Sequence, residues 1–71
     1  MYAKELFGKE VLDLDANRVG KAADLDVDLL KGVVNHLIVK AGLTKRYIIG
    51  LEKIDKIGDR IILKVSTDEL K

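Results

Sequence analysis

Three aspartates at alternate positions form the pattern in this sequence that most resembles a binding site. Asp24, Asp26 and Asp28 give a D-x-D-x-D spacing, which opens the calcium loop of EF-hand proteins. The rest of that loop is missing, because position six is Leu29 instead of glycine and position twelve is Asn35 instead of glutamate. On a strand the three carboxylates would line one face about 7 Å apart. We expect a solvated face, with a charged docking surface as the functional alternative and a weak metal site as the least favoured one.

The single histidine, His36, is the side chain best suited to acid–base chemistry near neutral pH. Catalysis would require a carboxylate or nucleophile beside it, and the sequence does not place one there. One histidine and no cysteine give too few ligands for a zinc site. Paired carboxylates of the glycosidase type would need a substrate pocket, for which so short a chain has little room. The sequence predicts a structural or half-exposed histidine, no catalytic residue, no metal, no cofactor and no small-molecule substrate.

Four basic residues form the pattern most relevant to nucleic acids, namely Lys40, Lys45, Arg46 and Lys64. Sheets that bind RNA usually combine such charges with exposed aromatic side chains on which bases stack. Tyr47, the aromatic residue in this region, has the phase of a buried side chain. The formal net charge of +1 also lacks the basic excess of dedicated nucleic-acid binders. Nucleic acid is therefore an unfavoured partner.

The elements that position these groups must fit into one small domain, residues 1–71. A chain of 71 residues has a core that gives little stability without further support. Because disulfides and metals are not expected, oligomerisation is the expected support. No apolar run approaches the ~18 residues of a membrane span, and the first residues lack a signal-peptide pattern, so a cytoplasmic protein is expected. The absence of Gln, Cys and Trp beside abundant Lys, Asp, Ile, Val and Leu favours a thermophilic source.

The clearest strand carries the three aspartates. Over Ala23–Asp28 apolar and acidic residues alternate strictly, a period of two that would direct Ala23, Leu25 and Val27 inward and the aspartates outward. Residues 15–18 have turn chemistry, because Asp and Asn bond to nearby backbone groups and tolerate left-handed geometry. A tight turn is therefore expected to join this strand to a shorter one before it.

Residues 29–40 have an ambiguous pattern. Their apolar positions fit one face of an amphipathic helix, and these are Leu29, Leu30, Val33, Val34, Leu37 and Ile38. Gly32 and several β-branched residues oppose a helix. Periodicity alone slightly favours helix, so the choice depends on information beyond the pattern.

The remaining elements are short. Residues 45–51 and 60–65 are expected to be strands, the first of them preceded by a turn at Gly42–Thr44. Helical turns are expected at Tyr2–Phe7 and Ser66–Glu69, where the final glutamate completes a capping box. Short strands separated by turn residues predict an all-β chain that forms a small barrel or a rolled sheet.

Five segments carry a family resemblance through their order and spacing. They are Leu6–Val11, Asp15–Asp28, Gly32–Val39, Ile54 and Ile57–Leu63. The first, Leu-Phe-Gly-Lys-Glu-Val, is similar to the opening of PRC-barrel domains, and together the segments resemble stand-alone archaeal members of that family. The resemblance covers residues 6–65. One departure is the absence of proline, which many members carry between the last two strands.

The resemblance implies a small, mostly antiparallel β-barrel of five or six strands with short helical turns at its ends. It decides the ambiguous segment in favour of a strand at Val33–Ala41. Catalysis is not among the established roles of the barrel, so no enzyme is expected. The implied function is protein–protein interaction as an adaptor or assembly module. The most specific form of this prediction is a role in archaeal cell division. The alternative is an RNA- or ribosome-associated module, similar to the C-terminal domain of the ribosome maturation factor.

Aliphatic residues also remain on the second face of the expected strands. The inward set is Val33, Leu37, Val39, Tyr47, Ile49, Leu51, Ile61, Leu63 and Val65. The opposite face then carries Val34, Ile38, Ile48 and Ile62. Contiguous apolar patches mark interfaces, so these four residues are predicted to form the contact of a two-fold homodimer. The alternative is that the terminal segments, residues 2–7 and 67–70, cover this face.

Overall fold

The computed structural model describes residues 1–70, and their regular structure is almost entirely β. The strands are β1 (Glu10–Leu12), β2 (Arg18–Asp28), β3 (Val33–Ala41), β4 (Lys45–Gly50), β5 (Ile54–Ile57) and β6 (Ile61–Leu63). Three short 3₁₀ helices are present in this range, namely η1 (Ala3–Glu5), η2 (Leu51–Lys53) and η3 (Thr67–Leu70). Within residues 1–70 no helix has the length and apolar character needed to cross a membrane. The predicted all-β class, with helical turns near both ends, is confirmed.

The strands form one sheet in the order β4-β3-β2-β1-β6-β5. Strands β1 to β4 follow one another as an antiparallel meander, and β5 and β6 form an antiparallel pair. The four-stranded meander and the β5–β6 pair are joined into one sheet by β1 and β6, which run parallel. The sheet is therefore mostly antiparallel, as predicted, and its six strands lie within the predicted range of five or six.

The short link between the two edge strands forces the sheet to roll up. β4 and β5 lie at opposite edges, yet only η2 separates them in sequence. Six flat strands about 4.8 Å apart would put the edges roughly 24 Å apart, whereas this link spans about 14 Å at most. The sheet must therefore be strongly curved. No hydrogen-bonded ladder joins β4 to β5 within residues 1–70, so the predicted closure of the barrel is not observed there.

Apolar residues on the concave side of the sheet form one core. Its buried members are Leu6, Val11, Val19, Ala22, Leu37, Val39, Tyr47, Ile49, Ile61 and Leu63. The inward phase predicted for β4 and β6 is confirmed by Tyr47, Ile49, Ile61 and Leu63. Both ends of the described chain contribute to the core, because Leu6 belongs to it and Leu70 packs against it.

Two irregularities in the β2–β3 ladder shift the phase of the side chains. The register changes between Ala22 and Asp24 and again between Asp26 and Val27. Such a bulge places an extra residue in one strand, so that the following side chains turn to the other face. The prediction that Ala23 points inward is therefore wrong: Ala22 is buried in its place, and Ala23 is exposed.

The inward set is also wrong at two other places. Val33 and Val27, both predicted to be inward, are each 44% exposed. Both residues lie beyond the second register change, on the side of the hairpin turn. Of the two valines that begin β3, Val34 is therefore more buried than Val33. Leu51 was predicted to continue β4, but it lies in η2 with its side chain exposed. The chain leaves the sheet at this residue in order to reach β5.

Candidate functional site

The β2–β3 hairpin ends in a turn that exposes two leucines. Leu29 is 87% exposed and Leu30 is completely exposed. The backbone N–H of Lys31 donates a hydrogen bond to the carboxylate of Asp28 at 3.1 Å, and Gly32 has a φ of 68°, which glycine adopts without steric cost. The turn geometry thus keeps both leucines in solvent. We call Leu29, Leu30 and Lys31 the hairpin tip.

An apolar cleft lies beside the same hairpin. Its volume is about 440 Å³, and the buried residues Leu6, Leu37 and Ile61 form its floor. The less buried lining residues are Leu25, Val34, Leu51, Ile54, Asp55 and Ile57. Small-molecule sites usually combine apolar walls with several converging polar groups, whereas Asp55 is the one polar side chain in this lining. The apolar cleft is therefore better suited to aliphatic side chains of a protein.

The hairpin tip and the apolar cleft are linked through the hairpin itself. Leu25 on β2 and Val34 on β3 line the cleft, and the residues between them form the outer half of the hairpin and its tip. The strands that lead to the tip therefore form part of the cleft wall. This arrangement prevents the tip from entering the cleft of its own chain.

The three aspartates of the predicted outward face are each engaged locally. The backbone N–H of Leu25 donates to Asp24 at 2.8 Å, and Asp28 closes the turn at the tip. Asp26 Oδ2 lies 2.7 Å from His36 Nδ1, across β2 and β3. The register change after Asp26 interrupts the alternation, so that Asp28 is partly buried while the other two aspartates are exposed. Within residues 1–70 no group of three His, Asp or Glu residues could hold a metal ion.

The histidine is half-exposed, as predicted. The side chain of His36 is 42% exposed and that of Asp26 is 52% exposed. Exposed pairs of this kind contribute little to stability, because water screens the interaction. His36 does not line the apolar cleft, so the structure does not bring it to the principal apolar site.

The four residues predicted to form a dimer contact lie on three separate surfaces. Ile38 and Ile48 pair directly across β3 and β4 on the outer face, where Ile48 is 69% exposed. Val34 lines the apolar cleft. Ile62 lies beside Leu12 in a shallow groove, and two strands, β2 and β1, separate β6 from β3.

Ile38 and Ile48 are the aliphatic residues of a small patch that also contains one acidic and one basic side chain. Ala23, Asp24 and Arg46 line the same shallow groove. We call these five residues the outer patch. Cover by the terminal segments was the alternative for this face. Because Ile48 stays exposed while residues near both ends pack against the core, that alternative does not hold at Ile48.

The basic residues do not assemble around an exposed aromatic ring. Lys40 and Arg46 pair across β3 and β4, and Lys45 Nζ lies 4.8 Å from the centre of the Tyr47 ring. Tyr47 is buried, as its phase predicted. Lys64 follows β6, which is three places away from β3 in the sheet. Tyr47, the aromatic residue expected among these basic residues, is thus part of the core and is not available for base stacking.

A buried carboxylate, which the sequence analysis missed, joins two distant segments. Asp13 is 1% exposed and accepts a hydrogen bond from the hydroxyl of Thr67 at 2.7 Å. The backbone N–H groups of Asp15, Asn17 and Thr67 also donate to it, at 2.9, 2.8 and 3.0 Å. The Thr67 hydroxyl contributes most to holding the pKa of Asp13 well below its ordinary value, and the backbone donors add to this effect while burial opposes it. The turn residues at 15–18 were the available signal, since an aspartate just before such a turn commonly accepts its N–H groups.

Comparison with protein families identifies a match that covers the described chain. The model of the family described as PRC-barrel domain matches residues 1–70. A search of curated proteins found no significant match. The matched range contains the hairpin tip, the apolar cleft, the outer patch and the carboxylate of Asp13.

Proposed function

The chain belongs to the PRC-barrel domain family, and on this basis we propose that it acts as a module that binds other proteins and does not catalyse a reaction. Domains of this family are generally non-catalytic and often mediate protein interactions. The observation that carries the proposal for this chain is the hairpin tip, because Leu29 and Leu30 are held in solvent by a turn. Grouped exposed apolar side chains mark protein contacts.

The finer role is that of an adaptor formed by a single domain, residues 1–71, in the cytoplasm. The most specific form of this proposal is that the adaptor takes part in assembly of the archaeal cell-division machinery. This part of the proposal derives from the resemblance of the sequence to stand-alone archaeal members of the family and from its thermophile-like composition. The outer patch supports a docking role, because Ile38 and Ile48 offer an apolar centre between Asp24 and Arg46. Ile62 on β6 and the exposed Asp26 on β2 are proposed as further contact residues, as is Asp28, which directly precedes the hairpin tip.

Self-association as a homodimer is the second part of the proposal. A domain of this size has a small core, and it exposes aliphatic side chains at the hairpin tip and at the outer patch. Association would bury part of that surface and add stability that the monomer lacks.

Affinity capture from the native cell tests the interaction role. The wild-type chain would serve as one bait, beside a Leu29→Ser/Leu30→Ser double variant and an Ile48→Ser variant. We expect the wild type to retain a reproducible set of proteins, and at least one of the variants to lose it. Retention no greater than that of an unrelated β-domain of similar charge would contradict the proposal. Retention dominated by ribosomal proteins and abolished by nuclease would favour the RNA-associated alternative.

A further inference from the structure

The hairpin tip and the apolar cleft are both apolar surfaces that are open to solvent. The tip is convex and presents Leu29 and Leu30 to solvent, and the cleft is concave and lined almost entirely by aliphatic side chains. The tip of one chain cannot reach the cleft of the same chain, because Leu25 and Val34 on the hairpin form the cleft wall. Contact between these two surfaces is therefore available only between two molecules.

The charges at the two surfaces are also complementary. Lys31 is the charged residue of the hairpin tip, and Asp55 is the charged residue in the lining of the apolar cleft. Both side chains are exposed, and neither belongs to an ion pair found in residues 1–70. A tip that places its leucines in the cleft brings the ammonium group toward the carboxylate. Opposite charges arranged in this way fix the orientation of a contact.

The area required for a stable contact favours a two-fold arrangement. A specific interface covers about 800 Å² on each partner, which is roughly a sixth of the 4990 Å² surface of this chain. One turn inserted into one cleft covers less than that. In a two-fold dimer each copy supplies both surfaces, so every copy buries a tip and a cleft at once.

We infer that the hairpin tip of one copy binds in the apolar cleft of a second copy, and that two such contacts, each with a Lys31–Asp55 ion pair, form a two-fold dimer. This inference rests on the self-association proposed above and names its surface. A lipid bilayer is the competing partner for exposed leucines at a turn. The carboxylates of Asp24 and Asp26 are exposed on the same hairpin, and anionic headgroups would repel them, so the charges favour the protein contact.

Sedimentation equilibrium of the full chain tests the apolar part of this contact. We expect the wild type to dimerise and the Leu29→Ser/Leu30→Ser variant to be monomeric at the same concentration. Ile48→Ser is the matched control, because it removes an exposed aliphatic side chain from the outer patch and should leave the dimer intact. A double variant that dimerises like the wild type overturns the inference, as does a dimer that depends on Ile48 instead.

A charge exchange tests the pairing of tip and cleft without altering the core. At low salt, Lys31→Glu and Asp55→Lys should each raise the dissociation constant of the dimer about tenfold, because each dimer contains two such pairs. The combined Lys31→Glu/Asp55→Lys chain should regain the wild-type value. Failure of the combined variant to regain affinity overturns the pairing.

The outcomes separate this inference from the proposed function. A wild type that stays monomeric at high micromolar concentration overturns the second-copy inference. If that monomer still retains cellular proteins through its tip, the interaction role stands. Binding to vesicles that contain phosphatidylglycerol tests the lipid alternative. If a monomeric wild type binds these vesicles and the Leu29→Ser/Leu30→Ser variant does not, the tip binds lipid and the inference is overturned.

Discussion

The carboxylate of Asp13 acts as a structural group and not as a reactive one. Both of its oxygens accept hydrogen bonds, from the turn after β1 and from Thr67 in η3. A carboxylate with several donors is stabilised in its ionised form, which leaves it poorly suited to take up a proton. Its role is to join the β1–β2 turn to the segment after β6.

Replacement of Asp13 should change how stability depends on pH. The folded-state pKa lies below the unfolded value, so the ionised group stabilises the fold above the ordinary aspartate pKa of about 3.9. That contribution is lost as the pH falls from there toward the folded-state pKa. Asp13→Asn should lower the melting temperature at pH 7, and its melting temperature should fall less than that of the wild type between pH 5 and pH 3. Asp59→Asn, which removes an exposed carboxylate, is the control and should follow the wild type. Parallel curves for Asp13→Asn and wild type would contradict this account.

Leu37 should be among the most sensitive positions to truncation. It is 1% exposed in the centre of the core, so Leu37→Ala should cost about 2–5 kcal/mol in urea denaturation, from lost burial and the cavity left behind. Leu25, which is partly buried against the core, should show a smaller loss than Leu37. Leu43→Ala is the control, because this side chain is almost fully exposed at the β3–β4 turn and should change stability by less than about 0.5 kcal/mol. Similar losses at Leu37 and Leu43 would show that the core assignment is wrong.

At the scale of elements, the sequence predicted the long strands better than the irregular ones. The strand at Val33–Ala41 is confirmed residue for residue, although its apolar pattern slightly favoured a helix and the family resemblance decided for a strand. β5 was missed, since it is only four residues long and two of them are Asp55 and Lys56. The two register changes between β2 and β3 were also missed, because no residue type marks the point where one strand gains an extra residue over its neighbour.

The apolar cleft could not be predicted from local patterns for a related reason. Its lining residues extend from Leu6 to Ile61 in sequence, and only the rolling of the sheet brings them together. The exposure of the hairpin tip was not predicted, because Leu29 and Leu30 were interpreted only as part of a possible helical face. The residues of the turn that exposes them, Asp28 and Gly32, were the available signal.

Gly20 should be necessary for the packing of β2 against β3. A Cβ atom at this position would overlap the main-chain carbonyl of Lys40, and backbone cannot move aside as a flexible side chain does. Gly20→Ala should therefore destabilise the fold by about 1–3 kcal/mol in urea denaturation. Gly58→Ala is the matched control, because nothing lies within 4 Å of a Cβ built there and its φ is not positive. A Gly20→Ala variant as stable as Gly58→Ala would mean that the two strands can separate at little cost.

At the scale of the whole molecule, the small core means that self-association should contribute to stability, and stability should then depend on protein concentration. If the folded chain dimerises, dilution removes the stabilisation that association provides. The melting temperature of the wild type should therefore rise by several degrees over a roughly hundredfold increase in concentration. The Leu29→Ser/Leu30→Ser variant should melt at one temperature throughout. A wild-type melting temperature that stays constant over the same range would speak against association.

The parallel pairing of β1 with β6 has a consequence for synthesis of the chain on the ribosome. β2, β3 and β4 can pair with their neighbours in sequence as they emerge, but β1 keeps one unpaired edge until Ile61 and Ile62 have left the exit tunnel. An unpaired strand edge is a template for pairing with other chains. At about 5–20 residues per second, the roughly fifty residues between β1 and β6 take several seconds to be made. During that interval a nascent chain exposes the edge that the finished domain covers, and chaperone protection would be needed most at that stage.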